Sequence, residues 1–423
     1  MSQELISNRA EPEKVLLVVI ELKNEETLWT LPEEIAEMTE LVAASGGKVV
    51  ESVQCRLSKI SAGNYIGDGK LQEIAGLVAL HHIDTVIFNH DLKGSQQRNL
   101  EEVIKTKTID RTQLILDIFA RRATTNEGKM QVELAQLEYL LPRLTGKGIE
   151  LSRLGGGIGT LGPGETKLEV DRRRISDRIA RLKNTLKDVA QNRALTRKKR
   201  KDQGVPAISL VGYTNAGKST LLNALTDAKQ VTKDGLFTTL DSLSRKLTLP
   251  NHQKVVISDT VGFMHDLPHH LIESFHATLE VVTEADLLLH VIDVSNPNFR
   301  HLYQSVMDVL LSLNVLDKPM IVVLNKIDQI DHERSWLEQI VESYGNAVAI
   351  SAKDKNNLDE LYVKIVEKLS SLIIEINVNV PIHRMDLVNL AHEEGEVVSV
   401  KYYNKKINIR AFVPRHIAGK FET

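Results

Sequence analysis

From residue 14 to residue 107, short β-branched runs alternate with amphipathic ones: KVLLVVIEL, PEEIAEMTELVAA, KVVESVQ, KLQEIAGLVALHH, DTVIFNH and QQRNLEEVIKTK. This βαβαβα order predicts a small parallel sheet with helices on its faces. From Asp110 to about Arg143 the strand signal vanishes. Leu134, Leu137, Leu141 and Leu144 follow three-four spacing there, and beyond a glycine-rich stretch Ile175, Ile179, Leu182, Leu186 and Val189 repeat it. That periodicity predicts two long helices forming an antiparallel hairpin with an aliphatic seam and the glycines at its tip. After residue 202 strand-like runs return as AISLV, VVISDTVG and IVVLNKID.

Composition adds bounds. A chain of 423 residues exceeds one ordinary core and points to several domains. Its single cysteine, Cys55, rules out an internal disulfide and fits a reducing compartment. The N-terminus has no basic-then-apolar signal pattern, and no apolar run approaches the ~20 residues of a membrane span, so a cytoplasmic chain is expected. The net charge of −3 is small, but between Asp171 and Lys201 thirteen Lys and Arg face three Asp. Such a block is a solvated helix face or the footprint of a phosphate-backbone partner. The segment before residue 109 shows no phosphate fingerprint after a strand, no metal-ligand spacing and no nucleophile–base set, which suits a scaffold or docking domain.

Two glycine-rich stretches compete for a nucleotide. GIGTLG, inside residues 155–164, matches the dinucleotide fingerprint, but a helix precedes it where a strand is required and Pro163 follows at once. Gly155, Gly156, Gly157, Gly159, Gly162 and Gly164 instead describe a tightly turned or flexible tip, or a plain linker. The second stretch has the right context: AISLV is a strand, Gly212 to Ser219 (Gly212, Tyr213, Thr214, Asn215, Ala216, Gly217, Lys218, Ser219) matches G-x-x-x-x-G-K-[ST], and a helix follows from Thr220. Its amides would wrap phosphates at the positive end of that helix. Lys218 would neutralise phosphate oxygens, and the Ser219 hydroxyl would ligate Mg²⁺.

Companion motifs follow in order. VVISDTVG ends in Asp259, a carboxylate for a metal-bound water, and in Gly262, an amide for the γ-phosphate. IVVLNKID ends in Asn325, Lys326 and Asp328, and VAISAK supplies Ser351, Ala352 and Lys353. Guanine carries two donors on one edge that the Asp328 carboxylate can accept. Adenine would leave that carboxylate unpaired, so the base is guanine. FTTLDS is the expected first switch, with Thr239 the candidate ligand to Mg²⁺ and γ-phosphate and Thr238 its competitor. After Gly262 stands Phe263, where many GTPases carry a water-orienting Gln, so intrinsic hydrolysis should be slow and partner-dependent.

These motifs, together with GGIGTLGPGETKLEVDRR, SQQRNLE, DRTQLILDIFARRA and KMQVELAQLEYLLPRL, resemble the HflX-type GTPases, and the resemblance runs over nearly the whole chain. It implies an α/β protein of four parts: an N-terminal parallel α/β domain (1–109), a helical hairpin with a glycine-rich tip (110–201), a central P-loop GTPase domain (202–374) and a small C-terminal α/β domain (375–423). It also implies a GTP hydrolase that uses Mg²⁺, binds the large ribosomal subunit and its rRNA, and promotes subunit dissociation or rescue. Such a chain would be cytoplasmic, monomeric and without a membrane span. A switch GTPase signalling through protein partners and a ribosome-assembly GTPase stay open as alternatives.

Overall fold

A computed structural model describes residues 12–23, 29–144, 167–202, 204–226, 236–237, 243–265, 276–330, 334–370 and 373–421. The glycine-rich tip and both Thr238 and Thr239 lie outside the described residues. The chain divides into two compact units, Met1–Leu186 and Lys187–Thr423.

In the first unit, β1 (Lys14–Leu22), α1 (Leu31–Ser45), β2 (Lys48–Leu57), α2 (Asp68–His81), β3 (Thr85–Phe88) and α3 (Gly94–Ile104) realise the expected alternation. All strand pairs are parallel, in the order β2-β1-β3-β4. The unbroken apolar run of β1 follows from its central place, since a strand covered on both faces has no polar positions to alternate with. β4 (Lys107–Asp110) was not among the expected strands, because KTID holds one apolar residue where the equally short β3 presents the run VIF.

Asp110 closes β4 and caps α4 (Arg111–Arg122) by accepting from Gln113 N at 2.9 Å. Its buried carboxylate also accepts from Leu92 N (3.1 Å), Tyr139 Oη (2.8 Å) and Arg143 Nη2 (2.9 Å). Burial pushes its carboxyl pKa up, against those bonds. The Arg143 guanidinium lies 3.3 Å from the centre of the Tyr139 ring and donates to Leu92 O, which fastens the end of α5 (Asn126–Leu140) to the sheet.

α6 (Lys167–Asp202) is the basic helix. Leu182 is buried, while Ile175, Ile179, Leu186 and Val189 are half-buried between exposed charges, so the three-four stripe is its covered side. In the first unit Arg178 makes a bidentate pair with Glu133 (2.7 and 2.8 Å), and Lys183 pairs with Glu138 at 2.8 Å.

In the second unit a six-stranded sheet runs β10-β9-β8-β5-β7-β6. Its members are β5 (Ala207–Gly212), β6 (Leu243–Thr248), β7 (Lys254–Asp259), β8 (Leu287–Asp293), β9 (Met320–Asn325) and β10 (Ala347–Ala349). All pairs are parallel except β6 with β7. The helices are α7 (Lys218–Thr226), α8 (His276–Thr283), α9 (Phe299–Ser312), α10 (Arg334–Tyr344) and α11 (Leu358–Leu369). Arg197, late in α6, pairs with Glu280 of α8 at 2.5 Å. A three-stranded antiparallel sheet, β11 (Ile373–Pro381), β12 (Glu396–Tyr402) and β13 (Lys406–Pro414) in the order β11-β13-β12, follows with α12 (Met385–Glu394) across one face.

Candidate nucleotide site

The motif residues gather at the carboxyl ends of β5, β7 and β9, the crevice in which open α/β sheets bind ligands. The loop between β5 and α7 is laced to the end of β7 by two backbone bonds: Thr214 N donates to Phe263 O (2.8 Å), and Phe263 N donates to Gly212 O (3.1 Å). His265 N donates to the Tyr213 hydroxyl at 2.8 Å, a third tie that the sequence did not announce. At Gly262 this approach leaves no room for a side chain: a Cβ would lie 2.8 Å from Thr214 Cα and 3.1 Å from Lys218 Nζ.

Lys218 opens α7 and is buried, donating to Gly212 O at 3.0 Å and Tyr213 O at 2.8 Å. Burial lowers its pKa to about 8, with the nearby Asp259 acting against the shift. Ser219 Oγ donates to Asp259 Oδ2 at 2.5 Å, so a hydroxyl and a buried carboxylate lie side by side at the start of the helix. Two hard oxygen donors suit a small divalent cation that completes its shell with phosphate and water. Among the described residues no cluster of three His, Cys, Asp or Glu could hold a metal by itself.

Asn325 is buried and spends its amide on protein. Its Nδ2 donates to Ala216 O at 2.9 Å, and its Oδ1 accepts from Ala352 N at 3.0 Å. It thus joins the phosphate loop to the loop at 351–353. Gly217, at φ +93°, passes so close that a Cβ would meet Asn325 Nδ2 at 2.2 Å. Lys326 adopts a left-handed conformation (φ 66°), and its Nζ pairs with Asp293 Oδ2 at 2.6 Å. In the sequence Asp293 stands out only as an interruption of an apolar run, although a carboxylate at a strand end is the available signal.

Asp328 lies exposed in the short 3-10 turn that follows β9. Ser351 is buried, its hydroxyl accepting from Asp354 N at 3.1 Å, and Lys353 is exposed. In the loop, Thr214 and Ala216 are buried, Asn215 is exposed at φ 62°, and Thr220 is half-buried. His290, also unheralded, is buried in β8 and stacks on Tyr303 with centroids 4.9 Å apart. Burial, and secondarily the Lys218 charge, lowers its pKa to about 3.

The family model described as "GTP-binding GTPase N-terminal" matches residues 32–120, that described as "GTP-binding GTPase Middle Region" matches 122–200, and that described as "50S ribosome-binding GTPase" matches 207–326. The GTPase HflX of Caldanaerobacter subterraneus subsp. tengcongensis is 46% identical over 90% of this chain and 87% of its own. That of Lacrimispora saccharolytica is 43% identical over 98% of this chain and 96% of its own. A GTP-binding protein from Sulfolobus solfataricus, solved in complex with GDP, aligns over 85% of this chain and 99% of its own with 26% identity and a TM-score of 0.44.

Proposed function

The chain belongs to the HflX family of GTPases and is a GTP hydrolase, and from that premise we propose that it binds the large ribosomal subunit and uses GTP to drive subunits apart. In this reading the loop from Gly212 to Thr220 cradles the phosphates, and the Lys218 ammonium turns from two loop carbonyls to phosphate oxygens. The Asp328 carboxylate accepts from guanine, and the Ala352 amide faces the base edge. Lys326, fixed by Asp293, covers the purine plane, and Ser351 and Lys353 complete the base pocket. Asn325 holds the two loops together and completes the base pocket with its remaining amide hydrogen. Ser219 and Asp259 would hold Mg²⁺, with Thr239 joining them; the ion would supply charge neutralisation of the phosphates. The Gly262 amide meets the γ-phosphate, which lets the segment after β7 report on it.

Phe263 is buried and offers no polar group to orient water, which supports slow hydrolysis by the protein alone. The observation that carries the ribosomal part is α6. After its pairings with Glu133, Glu138 and Glu280, Lys187, Lys198 and Lys199 remain exposed on a helix with ten surplus positive charges between Asp171 and Lys201. A basic helix grips RNA by its phosphates. The four-part division at residues 109, 201 and 374 belongs to the same proposal, as do a monomeric state and a cytoplasmic location; among the described residues no helix is long and apolar enough to cross a membrane. Light scattering of ribosomes mixed with the protein tests it: a fall in scattering is expected with GTP and not with GDP, and unchanged scattering with GTP refutes it.

A further inference from the structure

The C-terminal sheet buries one face. Ile376, Val380, Ile407, Ile409 and Ala411 pack with Leu387 and Ala391 of α12. The opposite face is polar, with Arg410 in its middle paired to Glu375 at 2.7 Å. At one end the register lines up Glu375, Phe412 and Glu396 across all three strands. At the other end Lys401 and Lys406 flank the β12–β13 turn, closed by Tyr403 N donating to Lys406 O at 2.8 Å, with Lys405 inside the turn. Between these ends Asn408 Nδ2 donates to Asn377 Oδ1 at 3.1 Å and to Asn379 Oδ1 at 3.3 Å.

The aromatic side chains of the turn set it apart. Tyr402 and Tyr403 are 60% and 51% exposed, whereas the other six of the eight tyrosines are buried or half-buried. Exposed rings interleaved with ammonium groups provide what single-stranded nucleic acid needs: a π-face for each base and a cation for each phosphate. Successive positions of an extended chain point to opposite sides, so each ring can take a base on its own side of the hairpin. The asparagine amides offer donors and acceptors to base edges, while Arg410 Nε donates to Glu375 of the far end at 2.7 Å, which leaves the lysines of the turn as the cations nearest the rings. Duplex RNA keeps its bases stacked and would engage the lysines alone.

We propose that the β12–β13 turn at the end of the C-terminal sheet binds unpaired RNA through Tyr402 and Tyr403, with Lys401, Lys405 and Lys406 on its backbone. The proposal extends beyond the reading of the nucleotide site and α6, because it requires neither GTP nor an intact ribosome.

The test uses the full chain and a fluorescein-labelled 12-nucleotide oligouridylate, with fluorescence anisotropy as the readout and a 12-base-pair RNA duplex as comparison. Tyr402→Ala/Tyr403→Ala should weaken binding of the single strand about fivefold or more and leave the duplex unaffected, whereas Tyr402→Phe/Tyr403→Phe should bind like the parent. Lys401→Gln/Lys405→Gln/Lys406→Gln should lower the slope of log affinity against log salt by roughly 0.7 for each phosphate that is no longer neutralised. GTP hydrolysis should be unchanged in all of them. Absence of oligouridylate binding by the parent overturns the proposal, as do an alanine variant within twofold of the parent and a phenylalanine variant as weak as the alanine one. Lys198→Gln/Lys199→Gln, run in parallel with ribosome light scattering, separates the two readings: the α6 variant should lose splitting and keep oligouridylate, and a parent that binds oligouridylate yet never splits ribosomes contradicts only the function proposed above.

Discussion

Replacing Gly217 by Ala places a methyl group 2.2 Å from Asn325 Nδ2, on a residue at φ +93°. Two costs follow and can be separated. The left-handed backbone strains any L-residue by about 1–2 kcal/mol. The clash also displaces the Asn325 amide, which strands Ala216 O and Ala352 N, each a buried group whose missing partner costs about 1–3 kcal/mol. The single substitution should therefore destabilise the GTPase domain by roughly 3–8 kcal/mol, a large part of the ~5–15 kcal/mol that holds a domain folded. Asn325→Ala should lose the same two bonds without the strain. Once Asn325 is cut back to its Cβ nothing remains for the methyl to strike, so adding Gly217→Ala to Asn325→Ala should cost only the strain, about 1–2 kcal/mol. Urea unfolding of the two single variants and the double variant measures this cycle, and the expected coupling is about 2 kcal/mol or more in favour of the double. Additivity within about 0.5 kcal/mol would refute the claim that Gly217 is required by Asn325.

Three further outcomes follow from the same geometry. Asp328→Asn replaces an acceptor with a donor, so affinity should shift from GTP to xanthosine triphosphate, and a variant that still prefers GTP shows that Asp328 does not read the base. Burial holds Lys218 at about 8, below its ordinary value, so above that pH the nucleotide-free protein must take up a proton to meet a phosphate. GTP affinity should accordingly fall towards tenfold per pH unit between about 8 and 9, with proton uptake visible by calorimetry in buffers of different ionisation heat, and a flat profile contradicts it. His290, held near 3, is depressed, so its contribution to stability is complete above its ordinary value near 6.5 and is lost as pH falls from there towards 3. His290→Phe should remove up to about 1.4 kcal/mol per pH unit from the acid slope of unfolding between about pH 6 and 4.5, and equal slopes contradict it.

The convergence of the candidate site was legible because its motifs are short and sit at strand ends, where spacing alone fixes what a loop can reach. Lys218, Ser219, Asp259, Gly262 and Asn325 converge as the spacing implied. Residues with distant partners were invisible: that Asn325 joins Ala216 O to Ala352 N is seen only in the fold, and Asp293 is read only once Lys326 folds onto it. β4 escaped because KTID holds a single apolar residue, and Asp110 escaped because its partners Tyr139 and Arg143 lie 29 and 33 positions away. The thirteen basic residues between Asp171 and Lys201 read as one block, yet Arg178, Lys183 and Arg197 are tied to carboxylates within the protein and offer less to an external phosphate than their number suggests.

Coupling between the GTPase site and the large subunit is the central claim, and its most direct test is the rate of GTP hydrolysis with and without isolated large ribosomal subunits. With Phe263 buried and no group of its own to orient water, the protein alone should turn over slowly, and large subunits should accelerate it by about tenfold or more, equivalent to a barrier lowered by at least about 1.4 kcal/mol. Equal rates with large subunits, with small subunits and with neither would contradict the account.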